Sequence, residues 1–363
     1  MKNYILSTCG TSLLSNAADN HEKALIRDIA NIKNADKETE RQMAGLIEKA
    51  RRRLDETKIS DLEKVSAELN ALYKYYKGDF SAYKDYHLLL TTDTWLGNMT
   101  GEILAAWLRS HGQIAEVKRQ PDLQTNDVLY FQSALSDLVV WCEETIPGYR
   151  ESQYNIVFNL TGGFKSVLGF MQTLAMFYAD EAIYVFESGD ELLRLPKLPV
   201  AIDAENLVES YLPFFRKTAM GIKAPIPKNF PETLVLKIGK ETILSPYGWL
   251  LWNNSRKAVY AKRLYESPIP GIRYAQKFIN STGRLKPDRM ILVNERMDQL
   301  ARFLESGGKY NLKSFDFKQL SSELKSGSTH EIDAWADGCA DRIYGHFEEA
   351  VFVVDELDLH LRP

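Results

Sequence analysis

Short unbroken apolar runs, each followed by a small polar loop and then a helical pattern, organise the first two hundred residues. Residues 3–8, around Tyr4-Ile5-Leu6, read as a first strand closed by the small-residue loop of residues 9–15. Residues 86–92, 154–159 and 182–187 repeat the strand pattern. Helical spacing follows over residues 95–108, over 128–143, and from Leu160-Thr161-Gly162-Gly163 to about Tyr178. Strands that lack alternation and are separated by helices predict a parallel sheet covered on both faces, an α/β doubly wound domain over residues 1–203. Residues 20–78 differ: they are rich in Glu, Lys, Arg and Ala, lack Pro, and carry apolar residues at helical spacing. They read as an inserted, charged helical pair, a solvated excursion or a dimer contact. Ser60-x-x-Glu63 fits a capping box opening the second helix.

Beyond residue 204 the pattern breaks. A helix through Phe215 runs into Pro225, Pro227 and Pro231, residues 234–244 suit a hairpin around Gly239, and 246–265 suit a helix. Residues 204–265 therefore read as a connecting segment. Met290, Val293, Met297, Leu300 and Leu304 mark a helix stopped by Gly307-Gly308. Strand-like stretches follow at 313–320, 331–335, 342–347 and 350–361, so residues 266–363 form a small α+β unit.

The chain has 363 residues, 45% hydrophobic and 26% charged, enough for two or three domains. A net charge of −4 excludes an overall basic nucleic-acid binder but not a local basic patch. Cys9, Cys142 and Cys339 are scattered, which fits neither a disulfide framework nor a zinc site and suggests a reduced, cytoplasmic setting. The apolar run after Met1 is too short for a signal peptide, and none reaches membrane-spanning length. No cofactor and no metal are expected, and no membrane partner.

Two glycine loops carry the first candidate chemistry: Ser7-Thr8-Cys9-Gly10-Thr11-Ser12 and Asn159-Leu160-Thr161-Gly162-Gly163-Phe164-Lys165-Ser166. Each follows a strand and precedes a helix, where ligands bind in open parallel sheets. Backbone N–H groups there favour an anion, and Thr11, Ser12, Thr161, Ser166 and Lys165 add hydroxyls and charge. A lone glycine after a strand is ordinarily only a turn; two such loops with Thr92-Asp93-Thr94 point to a phosphate-bearing ligand. The spacing is neither a P-loop nor GxGxxG. These motifs, with Leu96-Gly97 and Gly101-Glu102-Ile103-Leu104, resemble in order the CARF domain of type III CRISPR ancillary proteins over residues 1–200. The resemblance implies a Rossmann-like homodimer that binds a cyclic oligoadenylate, cyclic tetra-adenylate by expectation, across its two-fold axis. The ligand-binding set is then Gly10, Thr11, Ser12, Thr92, Asp93, Thr94, Thr161, Gly162, Gly163, Phe164, Lys165 and Ser166.

Three of six histidines, His330, His346 and His360, fall in the last 34 residues. Strand alternation groups Arg342, Tyr344 and His346 on one face, and Glu356, Asp358 and His360 on one face of the last strand. Register leaves the relation between the two strands open: a two-residue turn alone puts Arg342 with the leucines, and a bulge puts it with His360. Arginine, histidine and tyrosine without a metal cluster suit RNA cleavage by the neighbouring 2′-hydroxyl. Residues 268–363 resemble RelE-like toxins, through Phe315-x-Phe317-Lys318-x-Leu320, Arg342-Ile343-Tyr344 and His360. The resemblance implies ribosome-dependent mRNA cleavage, with Arg342 stabilising phosphate, His360 as acid or base, and Lys318, Lys325, His330 and His346 as further candidates. The unit is mildly acidic where such toxins are basic. Three alternatives stay open: a restriction-type metal nuclease using Pro287-Asp288 and Asp316-Phe317-Lys318, a non-enzymatic regulator, and degradation of the ligand by the first domain. The expected whole is a ligand-activated endoribonuclease acting on mRNA at the ribosome.

Overall fold

A computed structural model describes residues 2–82, 84–124, 126–185, 191–199, 202–321, 327–335 and 341–359. The chain forms two compact units, Met1–Ala201 and Ile202–Pro363.

In the first unit, strands β1 (Asn3–Thr8), β2 (Tyr86–Thr91), β3 (Ile114–Arg119), β4 (Asn155–Asn159), β5 (Glu181–Val185) and β6 (Leu192–Pro196) form, among the described residues, a sheet ordered β3-β2-β1-β4-β5-β6. All pairs are parallel except β5–β6. Helices α1 (Ser12–Ala17), α2 (Asn20–Asp28), α3 (Lys37–Glu56) and α4 (Ala67–Tyr75) connect β1 to β2, and α5 (Trp95–Ser110), α6 (Val128–Glu151) and α7 (Lys165–Tyr178) complete the crossovers. Period-two geometry sorts each strand's side chains between two layers. Ile5, Leu89, Val157 and Ile183 join a core with Leu14, Leu46, Leu72 and Leu104 from α1, α3, α4 and α5. On the opposite face Tyr4 meets Tyr149 of α6, with ring centroids 4.1 Å apart. The sheet is therefore wound on both faces, and the strand order reverses between β1 and β4, which opens a crevice at their carboxyl ends.

Strands β3 and β6 are the sheet edges and half-exposed; β3 carries Glu116, Lys118 and Arg119, whereas β6 is a short leucine-rich run closed by Pro196. The 20–78 stretch is corrected in two ways. Ser60 and Glu63 fall in a 3-10 segment, Ile59–Lys64, whose N-cap residue Lys58 makes no side-chain cap; the true capping box is Asp19–Glu22, opening α2. Nor is the stretch a mere surface excursion, since Met43, Leu46, Leu54, Leu69 and Leu72 are buried in the first core.

In the second unit come α8 (Glu205–Ser210), α9 (Leu212–Ala219), β7 (Val235–Ile238), β8 (Glu241–Leu244), α10 (Pro246–Tyr260), β9 (Ile272–Tyr274), α11 (Gln276–Thr282), α12 (Pro287–Glu305), β10 (Lys318–Gln319), β11 (His330–Asp333), β12 (Asp341–Glu348) and β13 (Val351–Leu359). The hairpin at Gly239 is present. The antiparallel meander β10-β11-β12-β13 gains β9 as a parallel partner of β13. Residues 204–265 are no connector. Val208, Phe215, Trp252 and Tyr260 build a core there. Arg216 is buried against Asp298 of α12 at 2.6 Å, and the Tyr260 hydroxyl donates to the same carboxylate at 2.5 Å. Among the described residues no helix is long and apolar enough to cross a membrane.

Candidate functional site

The two glycine loops lie side by side at the carboxyl ends of β1 and β4. A Cβ at Gly10 would come 3.2 Å from the Gly163 amide nitrogen. Gly163 has φ +105°, and a Cβ there would stand 3.0 Å from that of Thr8. The Thr8 hydroxyl donates to the Gly162 carbonyl at 2.5 Å, and the Asn159 amide donates to Ser7 Oγ at 3.2 Å. The strand ends thus lock the two loops together.

The hydrogen-bond donors of the first loop are already taken by a side chain of the protein itself. The Glu68 carboxylate, on a residue 1% exposed, accepts from the Gly10 N–H at 2.9 Å, the Ser12 hydroxyl at 2.9 Å and the Ser66 hydroxyl at 2.7 Å. Asn159 Nδ2 donates to the Glu68 carbonyl at 3.1 Å. A Cβ on Gly162 would collide with the Glu68 side chain, so glycine is required there by close approach. Glu68 comes from α4, inside the charged stretch, where its acidic character is camouflaged by neighbours that do face water. Its signal is local: Ser66 caps α4 and sets Glu68 in the first turn, beside apolar Leu69 and Leu72.

The remaining expected ligand residues divide by accessibility. Lys165 and Ser166 are exposed in the first turn of α7, Phe164 is its N-cap residue, and Thr11 is half-buried. The Thr161 hydroxyl accepts from the Val185 N–H at 3.2 Å. Thr92, Asp93 and Thr94 are all buried. The two threonine hydroxyls share a hydrogen bond of 2.9 Å, and Thr94 caps α5. The Asp93 carboxylate takes Arg119 Nε at 2.8 Å, the Asp122 N–H at 2.9 Å and Lys33 Nζ at 2.6 Å. Burial opposes its ionisation, but Lys33 and the other donors outweigh burial and hold the carboxyl below its usual range. The segment between α2 and α3 is thereby fastened to the β2 end of the crevice, with the Trp95 N–H on the Ile32 carbonyl at 2.8 Å.

In the second unit a bulge settles the open register. Asp341–Tyr344 pair with Leu359–Glu356 and Gly345–Glu348 with Val354–Val351, leaving Asp355 as the extra residue. Arg342 therefore lies opposite Asp358, and Tyr344 opposite Glu356. One sheet face carries Lys318, Glu331, Asp333, Arg342, Tyr344, His346, Glu356 and Asp358. Its cations are matched by acids. Arg342 Nε is 3.0 Å from Asp333, and Lys318 Nζ is 2.7 Å from Asp316 and 3.3 Å from Glu331. His346 lies between Asp355 at 2.9 Å and Glu348 at 3.3 Å, and its hydrogen bond to Asp355, above all, raises its pKa. Asp355 also accepts from the Ser328 hydroxyl at 2.6 Å.

His330 is not part of this group. It shares the opposite face with buried Ile332, its ring 5.2 Å from Phe317 and 5.3 Å from Phe347, and burial lowers its pKa. Alternation along β11 is the reason: Glu331 and Asp333 take the polar face. His360 and Lys325 lie outside the described residues. Asp288 sits in the first turn of α12, while the Asp316 carboxylate is engaged by Lys318.

No curated protein matches this sequence. Among solved structures, Csm6 of Enterococcus italicus, bound to cyclic hexa-2'-fluoro-hexa-dAMP, aligns at 13% identity and a TM-score of 0.30. That alignment covers 61% of this chain and 48% of that one, about half the length of the structure it matches. A family model described as CRISPR-associated protein (Cas_APE2256) matches residues 63–198, a little over a third of the chain. The stretch that supplies Glu68, the second glycine loop and strands β2–β6 is thus similar to a CRISPR-associated family.

Proposed function

We propose that this chain is a sensor-effector of CRISPR defence, in which a cyclic oligoadenylate bound by the first unit switches on RNA cleavage by the second. One observation carries the sensor half. Two glycine loops touch at the point where the β3-β2-β1-β4-β5-β6 order reverses, with Lys165 and Ser166 open to solvent beside them. That is where a doubly wound sheet takes phosphate-bearing ligands. The family similarity over residues 63–198 supports the CRISPR setting. The symmetric ligand favours a homodimer closing over a two-fold axis, with cyclic tetra-adenylate as the activator of choice.

For the effector half, Arg342, Tyr344 and His346 share one sheet face, a set that suits RNA cleavage by the neighbouring 2′-hydroxyl, as a RelE-like enzyme performs it. In that reaction a base takes the proton from the ribose 2′-hydroxyl, O2′ attacks phosphorus, and the 5′-oxygen leaves with a proton from an acid. The products are a 2′,3′-cyclic phosphate and a 5′-hydroxyl. Arg342 supplies fixed charge to the phosphorane once the RNA phosphate displaces Asp333. His346, whose pKa is raised above all by its hydrogen bond to Asp355, suits the acid. The target is mRNA on the ribosome.

The test is cell-free translation with and without cyclic tetra-adenylate. Arrest with mRNA cut at the ribosome, dependent on the ligand, is the expected outcome. Arg342→Ala abolishes cutting and leaves ligand binding intact, whereas Asp288→Asn and Asp316→Asn retain it. Loss of cutting in the two aspartate variants alone would instead support the metal-dependent nuclease.

A further inference from the structure

We infer that Glu68 is a built-in competitor for the ligand: its carboxylate stands where a phosphate group binds, and the phosphate must evict it. This rests on the reading of the crevice as an oligoadenylate site.

The donors around Glu68 are those an anion subsite uses. Glu68 Oε1 takes the Gly10 N–H, and Oε2 takes the Ser12 and Ser66 hydroxyls. All three donors are uncharged, so they hold a carboxylate or a phosphate by the same hydrogen bonds. A second anion cannot share them while Glu68 stays, because like charges at that separation repel strongly in a site this buried. The side chain also fills the space: it lies against the α-carbon of Gly162, between the two loops.

Eviction has a mechanical consequence. Glu68 is in the first turn of α4, tied to the loops by its carbonyl on Asn159 and by the Ala67 N–H on Ser12 Oγ at 3.3 Å. At the other end of the same β1–β2 connection, Lys33 and Ile32 hold the β2 rim through Asp93 and Trp95. The connection therefore grips both sides of the crevice, and a ligand that removes Glu68 loosens its polar anchor on the glycine loops. Part of the binding energy is used in this exchange, so apparent affinity falls by the fraction of molecules in which the subsite is open.

The experiment titrates the full-length protein with inorganic phosphate, reading thermal unfolding, and separately with cyclic tetra-adenylate by calorimetry. Phosphate is expected to raise the Tm of Glu68→Ala saturably and to leave the wild-type Tm unchanged. Glu68→Gln, which keeps the shape but loses the charge, is expected to bind cyclic tetra-adenylate about fivefold or more tighter than wild type. Should Glu68→Ala not fold, Glu68→Gln takes the phosphate titration as well. Phosphate acting equally on wild type and variant, or on neither, overturns the inference. If no form binds a cyclic oligoadenylate, the sensor reading fails, while the phosphate arm still decides the role of Glu68.

Discussion

Gly162 and Gly45 show how differently one residue type is constrained. Gly45 lies on the exposed face of α3 with no atom within 4 Å of a would-be Cβ, whereas Gly162 has the Glu68 carboxylate there. Gly45→Ala should gain up to about 1 kcal/mol of stability from helix propensity. Gly162→Ala should lose about 1–3 kcal/mol by overpacking. Urea unfolding of the two variants checks both signs. His346 offers a second residue-scale test. Its folded pKa is raised by the hydrogen bond to Asp355, so its stabilisation is complete below the unfolded value of about 6.5. That stabilisation is lost as pH rises through the folded value. The Tm difference between wild type and His346→Gln should therefore be largest near pH 5.5 and shrink by pH 9. A constant difference would remove the charge from the account. Residue identity alone could not pair these groups: Arg342 and Asp333 are partners only because β11 and β12 are in register.

At the scale of elements, the central strands and their helices were legible because fully buried parallel strands are continuous apolar runs. β1, β2, β4 and β5 are such runs, and α6 continues past the expected 128–143 to Glu151. What escaped was whatever depends on neighbours. The edge strand β3 is polar enough to pass for a loop, and β6 is a five-residue, half-exposed run that ends in proline. Ser60 and Glu63 have capping-box spacing yet lie in a 3-10 turn, while Asp19 and Glu22 form the box that opens α2; local spacing cannot tell a 3-10 turn from a helix start. The β13 bulge could be named as one of two possibilities, yet only pairing decided it. The loops of the candidate site were legible as motifs, but Glu68 was not. Its position in the crevice follows from α4 packing back over β4 and β5, a tertiary fact that no window of sequence contains.

For the whole molecule, the doubly wound first unit matches expectation, while the division of the remainder does not. Residues 204–265 carry apolar residues at helical spacing, so their core was foreseeable; the three prolines suggested a linker, although proline also starts α9 and α10. The buried Arg216–Asp298–Tyr260 group then fuses this segment to α12. Breaking a buried ion pair by removing one partner costs about 3–5 kcal/mol. A fragment beginning at residue 266 leaves Asp298 without Arg216 and should lack a cooperative unfolding transition. A fragment beginning at residue 202 should show one, with circular dichroism as the readout. The buried arginine thereby marks a seam for recombination. Grafting the second unit onto another domain should preserve its fold only when the cut falls before α8, because a cut at residue 266 separates a cation from the acid it neutralises.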